Sequence, residues 1–205
     1  YTTTGLTSER VPIDIDANFS FFNPKLGLNY DLNPNNSLYA SYARANKEPN
    51  RNDFESNAKD VTHEELNDFE LGWRHQSERL RLNANLYYMR YNNQLVLTGA
   101  LDNVGEYLRE NVDKSYRLGL EVDANIALND EFSLNSNFAL SKNTVQDLLI
   151  VRDGALQNFG DTNIAFSPNV ISTNAIEYAP DAKFRTALIG KYVGEQYMSL
   201  SLIHI

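Results

Sequence analysis

The 205-residue chain contains no cysteine, which removes disulfide bonding and thiolate metal ligation. It has no apolar run long enough for a membrane helix. Leu148-Leu149-Ile150-Val151 is about its longest aliphatic block, against the ~20 residues such a helix needs. Basic residues are in the minority, 18 against 27 acidic for a net charge of −9, which argues against a nucleic-acid partner, since that affinity comes from Lys and Arg on phosphates. Histidine is scarce, and His63, His75 and His204 show no metal-ligand spacing, so neither a metal nor another cofactor is expected. Spacing alone does not exclude a glycosidase pair among the many carboxylates. Loop solvation accounts for them, however, and the chain is not expected to be an enzyme.

What the chain has is aromatic residues, 12 Tyr and 10 Phe, and strict alternation. From Tyr116 to Leu128 the even positions are Tyr, Leu, Leu, Val, Ala, Ile and Leu, while the odd positions are Arg, Gly, Glu, Asp, Asn and Ala. After the polar turn Asn129-Asp130-Glu131 the alternation resumes from Phe132 to Leu140. A period of two marks strands with one apolar and one polar face, here the arms of a β-hairpin. The arms are about twice the usual five or six residues, which suits a tilted bilayer crossing. If the even face meets lipid, no ionised group of the first arm enters hydrocarbon. If the odd face does, Arg117, Glu121 and Asp123 all enter, at roughly 2–4 kcal/mol for a basic residue at the midplane.

The same pattern recurs along the chain. Strands are predicted at 22–32, 37–45, 68–75, 79–97, 116–128, 132–140, 168–178 and 184–192. Short turns lie at 33–36, 76–78, 129–131 and 179–181, and long loops at 46–63, 98–115 and from 141 to about 166. The face of 168–178 is ambiguous, because Ile176 and Tyr178 favour one side and Ile171 and Ala175 the other; a bulge would reconcile them. Strict alternation of short and long connections is the habit of outer-membrane barrels. With the short turns on the periplasmic side, Tyr30, Trp73, Phe132, Tyr178 and Phe184 form one aromatic rim. Phe22, Tyr42, Phe69, Tyr88, Tyr116 and Tyr192 form the other. The expected fold is all-β: an antiparallel up-and-down transmembrane β-barrel segment of about eight long strands, with short periplasmic turns and long extracellular loops. Lipid-facing residues are Leu28, Tyr30, Leu71, Trp73, Leu82, Leu86, Leu118, Leu120, Val122 and Ile126. Lumen-facing residues are Lys25, Glu70, Arg74, Arg81, Arg117, Glu121, Asp123 and Arg185.

An ordered set of short motifs then carries a resemblance. It comprises Asn23-Pro24-Lys25-Leu26-Gly27-Leu28, the stretch from Ser37 to Arg51 (SLYASYARANKEPNR) and Phe69-Glu70-Leu71-Gly72-Trp73-Arg74. It continues with Asn83 to Tyr91 (NANLYYMRY), Arg117-Leu118-Gly119-Leu120-Glu121, Ser167-Pro168-Asn169 and Lys191 to Tyr197 (KYVGEQY). Together they resemble the barrel of TonB-dependent outer-membrane receptors over nearly the whole chain. The resemblance implies a bacterial outer-membrane location and active uptake of a scarce nutrient, with a ferric siderophore the commonest cargo. It also implies a plug domain, the TonB complex, and outer-membrane lipid and lipopolysaccharide as partners.

The chain opens mid-pattern at Tyr1-Thr2-Thr3-Thr4 and reads as part of a longer protein: residues 1–198 a partial barrel domain lacking plug and last strands, 199–205 a non-native tail. Arg51 and His63 in one long loop, and Tyr107 and Arg109 in the next, are the residues expected to meet an anionic ferric chelate. Two other readings stay open: a passive porin or small barrel closing on itself, and a soluble β-rich adhesin whose apolar face meets a second sheet.

Overall fold

Alternation of this kind folds by pairing strand to strand so that like faces align. The computed structural model describes residues 17–56, 61–101, 105, 107–152, 155–198 and 200. In chain order the elements are β1 (Lys25–Asn33), β2 (Asn36–Lys47), α1 (Arg51–Ser56), β3 (Glu64–Gln76), β4 (Leu80–Leu101) and β5 (Tyr107–Ala127). They continue with β6 (Phe132–Val145), β7 (Leu149–Arg152), β8 (Ala155–Asn158), β9 (Thr162–Asn163), β10 (Val170–Tyr178) and β11 (Thr186–Val193). Eight long strands pair antiparallel in the order β1-β2-β3-β4-β5-β6-β10-β11; β9 adds beside β6, and β7 and β8 form a separate hairpin. Among the described residues β1 and β11 have one neighbour each, so the sheet is open.

The register produces two unlike faces. One carries the row Leu28, Ala40, Leu71, Leu86, Leu120, Leu140 and Val170, followed by the row Tyr30, Leu38, Trp73, Ala84, Val122, Phe138, Ser172 and Tyr192. The other carries Lys25, Ala43, Asp68, Met89, Arg117 and Asn143, and farther along Asp31, Ser37, Arg74, Asn83, Asp123, Asn137, Thr173 and Lys191. The apolar face is bare: Leu118 is 42% and Leu120 38% exposed, and Val122 is half-buried. No second layer covers it among the described residues, unlike the packed sheet a soluble adhesin requires.

Three of the short turns are closed by a side-chain carbonyl or carboxylate. Asn33 Oδ1 accepts from the Asn35 amide, Asn129 Oδ1 from the amides of Glu131 and Phe132, and Asp181 Oδ1 from those of Lys183 and Phe184. This is the local bonding that makes Asn and Asp turn residues.

The long connections depart from expectation. The stretch 98–115 is largely strand, because β4 runs to Leu101 and β5 begins at Tyr107. The alternation there is broken. Asn93 sits at φ 53°, and beyond it Gln94, Leu95 and Val96 are all buried, as is Val112 on β5. Gln94 accepts a 2.6 Å hydrogen bond from Ser115, which lies on the polar face, and Val96 and Val112 pack with Val145 of that same face. The ribbon thus switches faces at Asn93. The segment from 46 to 63 contains α1, and that from 141 to 166 contains the end of β6 and β7, β8 and β9.

A small core forms at this end from Val96, Val112, Val145, Leu148, Ile164 and Leu200, with Phe159 against it. Leu200, in the stretch set apart as a tail, is 3% exposed there; 201–205 lie outside the described residues. The 168–178 strand needs no bulge. β10 pairs in continuous register with β6 and β11, and its even positions lie on the apolar face. Its pattern was ambiguous because that face carries Ser172 and Asn174. These satisfy each other, with Ser136 donating to Asn174 Oδ1 at 2.7 Å and Asn174 Nδ2 to Ser172 at 2.9 Å. Mutual bonding is what a polar group in hydrocarbon requires.

Candidate functional site

The polar face is built from residues that the register sets side by side. Glu70 accepts from Ser41 at 3.3 Å, Asp123 from Asn137 at 2.5 Å, and Glu177 from Asn135 at 3.0 Å. The Arg74 guanidinium lies 4.2 Å from the centre of the Tyr39 ring. That ring in turn lies over Gly72, its cross-strand partner, and Tyr87 lies over Gly119 in the same way. A glycine in a strand often marks such a close approach. Arg81 shares one recess with Asn83 and Asp123. Lys25 begins β1 opposite Ala43, and Arg185 immediately precedes β11. The residues assigned by alternation to the polar side therefore lie on it or at its margin. Those assigned to the apolar side, from Leu28 to Ile126, share the other face, with Leu82 opposite Ala124 and Ile126 opposite Leu80.

Arg117 is the centre of a second recess. It donates to Asn143 Oδ1 at 3.2 Å and to Ser167 Oγ at 3.0 Å, and Glu70, Glu121 and Ser141 line the same space. Ser167 belongs to the segment returning from the small core, so Arg117 fastens that segment against the polar wall. Asp68 Oδ1, Asn83 Oδ1 and Asn85 Oδ1 are buried without a donor among the described residues. All three lie on the polar face. Buried acceptors are ordinarily satisfied.

The four loop residues expected to meet ligand are not brought to one point. Tyr107 and Arg109 are on β5 rather than in a loop, because β5 begins earlier than the alternation indicated. Arg109 Nη1 is 3.5 Å from Asp53 Oδ1, and Asp53 is 3% exposed. Asp53 lies in α1 two residues after Arg51, so Arg51 and Arg109 share one neighbourhood. The helix itself is set by a reciprocal cap: Asn50 Oδ1 accepts from the Asp53 amide at 3.0 Å, and Asp53 Oδ2 from the Asn50 amide at 2.8 Å. The Asn-x-x-Asp spacing was the signal for this helix. Tyr107 meets Phe166 edge-on at 6.3 Å, while His63 packs with Phe19 and Phe21 at 6.1 and 5.1 Å. Asn111 ties the segment leading into β3 to the β4–β5 ribbon by exchanging bonds of 3.0 Å with Thr62.

This arrangement can separate two solvents and carry side chains of both signs along one of them. Comparison with known proteins accords with it. The family described as TonB dependent receptor-like, beta-barrel matches residues 1–201. No curated protein sequence matches. Among solved structures, the chain is similar to the ferric-catecholate import receptor Fiu of E. coli K12, at 21% identity and TM-score 0.58, covering 83% of this chain and 24% of that one. It is similar to the ferric yersiniabactin uptake receptor FyuA of Yersinia pestis at 18% identity and TM-score 0.63, covering 85% and 26%. It is also similar to the copper transporter OprC at 14% identity and TM-score 0.63, covering 82% and 25%. The chain spans about a quarter of the length of these structures. Two faces of opposite character, eight paired long strands and a family match over almost every residue lead to one conclusion: the chain belongs to the β-barrel family of TonB-dependent receptors, proteins of the Gram-negative outer membrane.

Proposed function

We propose that the chain forms part of the barrel wall of a receptor that imports a ferric siderophore, with uptake energised through TonB. The observation that carries this reading is the unbroken two-faced sheet, bare and apolar on one side and lined with Lys25, Glu70, Arg74, Arg117, Glu121 and Asp123 on the other. The first side suits lipid. The second suits a wet interior holding a plug, to which the unpartnered oxygens of Asp68, Asn83 and Asn85 offer acceptors. Residues 1–198 are proposed as barrel domain. At the end with the long connections, Arg51 on α1 and Arg109, which meets α1 at Asp53, are proposed to offer guanidinium groups to the carboxylate and catecholate oxygens of a ferric chelate. His63 and Tyr107 are proposed to border the same approach. The likeness to Fiu and FyuA supports an iron cargo, and that to OprC makes copper the competing one.

The test is uptake by the intact receptor in cells lacking their other iron receptors. A panel of iron-55 siderophores should yield accumulation that vanishes when TonB is deleted. Arg51→Ala with Arg109→Ala should lower it about tenfold with receptor abundance unchanged. TonB-independent accumulation would defeat the active-transport reading. Receptor-dependent copper accumulation with no iron uptake would replace the cargo.

A further inference from the structure

Beyond the cargo, we propose that the lipid-facing side of the wall binds a second copy of the receptor, with Asn174 beside the two-fold axis. A carboxamide stands here where the wall should be most apolar. Asn174 lies on the apolar face in the row Leu82, Ala124, Ser136, Asn174 and Gly190, and it is exposed. Four residues separate it from Tyr178 at the short-turn rim, and four from Val170, where β10 begins. With a rise of about 3.4 Å per residue and a tilt of about 40°, it sits about 10 Å from either level, midway through an apolar band about 25 Å tall. Between the aromatic rims, no other carboxamide or charged side chain stands on that face among the described residues.

The bonds within the wall use half of what this amide offers. A carboxamide has two N–H donors and an oxygen with two lone pairs. Ser136 Oγ takes one lone pair and Ser172 Oγ accepts one N–H, at 2.7 and 2.9 Å. One donor and one acceptor are left without a partner among the described residues. Both strands that flank β10 are in place: β6 sets Ser136 opposite Asn174, and β11 sets Gly190 there, which has no side chain to offer. Any further strand stands two places away, about 10 Å, beyond hydrogen-bond reach of its backbone. Lipid tails supply no donor or acceptor at this depth. The remaining pair therefore calls for a partner outside the wall.

The symmetry of insertion selects the occupant. Two receptors in one membrane share one orientation, so a two-fold axis relating them runs along the membrane normal. Such an axis sets a residue against its own copy at equal depth. Asn174 lacks one donor and one acceptor, and its copy across the axis brings one of each. The two amides close a reciprocal pair, the use to which a buried Asn is put when it fixes the partner number of a coiled coil. The neighbours permit the approach. Ala124, Ser136 and Gly190 are all small, and a Cβ on Gly190 would meet nothing within 4 Å, so open space lies beside the amide. Leu188 and Ile176, 76% and 46% exposed, flank the row and can pack around the pair. Membrane segments associate through small residues that let backbones come close and polar groups that bond across, since no hydrophobic drive acts between them.

The test uses the intact receptor. In outer membranes, Ile176→Cys treated with a short bismaleimide should give a cross-linked band at twice the receptor mass. Ala40→Cys, exposed on the same face five strands away, should not. In density-matched detergent, sedimentation equilibrium should find the wild type dimeric. Each hydrogen bond between membrane segments is worth roughly threefold in association, so Asn174→Ala, which loses two, should weaken the dimer about tenfold. Gly190→Leu, with open space for its side chain in the single wall, should weaken it at least as much by holding the faces apart. Should Asn174→Ala not fold, Ser136→Ala with Ser172→Ala and Asn174→Leu leaves no polar group stranded and should give a folded monomer. Asn125→Ala, on the opposite face, should leave the dimer unchanged. A monomeric wild type, undiminished association of the Asn174 and Gly190 variants, or cross-linking of Ile176→Cys to a different protein would overturn the proposal. None of these results bears on the uptake reading, which the TonB-deletion experiment tests separately.

Discussion

Three glycines on the polar face offer a graded test of how the wall is packed. A Cβ added at Gly27 would meet nothing within 4 Å. At Gly72 it would lie 2.0 Å from the Tyr39 ring, and at Gly119 it would lie 2.4 Å from the Tyr87 hydroxyl and 2.8 Å from the Leu140 carbonyl oxygen. The three substitutions by alanine should therefore differ in sign. Gly27→Ala removes unfolded-chain freedom with no clash and should stabilise by about 0.5–1 kcal/mol. Gly72→Ala pushes aside a ring whose neighbour Arg74 then loses its 4.2 Å contact, for a cost of about 1 kcal/mol. Gly119→Ala meets backbone as well as a ring, and Leu140 cannot yield without disturbing the β5–β6 ladder. Its cost belongs at the upper end of the overpacking range, about 3 kcal/mol. Urea transitions of the chain refolded in micelles, followed by the fluorescence of Trp73, the only tryptophan, would measure all three. Adding Tyr87→Ala to Gly119→Ala should recover part of the loss, and Tyr39→Ala should recover nearly all of it at Gly72. Equal effects at Gly27 and Gly119, or strict additivity with the tyrosine changes, would refute the argument that the rings lie on the glycines.

Other predictions concern the two faces and the outer helix. Leu120→Arg places a charge on the apolar face at roughly 2–4 kcal/mol, so it should block assembly into outer membranes, whereas Asn125→Arg on the polar face should assemble normally as judged by gel mobility before and after heating. Asn174→Leu alone should destabilise by about 1 kcal/mol, because Ser136 and Ser172 lose their partner, while the triple change to apolar residues of similar size should be neutral or better in the same urea assay. Asp53→Ala removes the cap of α1 and one partner of Arg109, costing about 1 kcal/mol locally, and should speed proteolysis near residue 56 without altering the urea midpoint of the sheet.

The strands that stand between two solvents were legible because each position there answers to one environment only. Tyr116 to Leu128 reads correctly from its period, and Asn33, Asn129 and Asp181 announce their turns through the bonds they make. Legibility failed where that condition fails. Leu95-Val96-Leu97 carries no alternation because protein covers both sides of the ribbon there, so the period ends before β4 does and resumes after β5 has begun. This is also why alternation alone assigns Tyr107 and Arg109 to a loop. In β10 the polar pair on the outer face masked the period. α1 is six residues long, too short for a helical period to show, although its Asn50–Asp53 cap was written in the sequence. Of the four loop residues, Arg109 meets the helix that begins at Arg51 through Asp53, a side chain that alternation could not single out.

The reversal at Asn93 makes two materials of one polypeptide. Below it each residue is held between oil and water, and loosening any strand would expose backbone to a medium that offers no hydrogen bonds. Above it Val96, Val112, Val145 and their neighbours behave as a miniature water-soluble globule that owes the bilayer nothing. The upper part can therefore open, exchange its amide protons and close again while the lower part stays locked. Asn93, at φ 53°, thus marks the border between a wall held by its surroundings and a cap held by its own core.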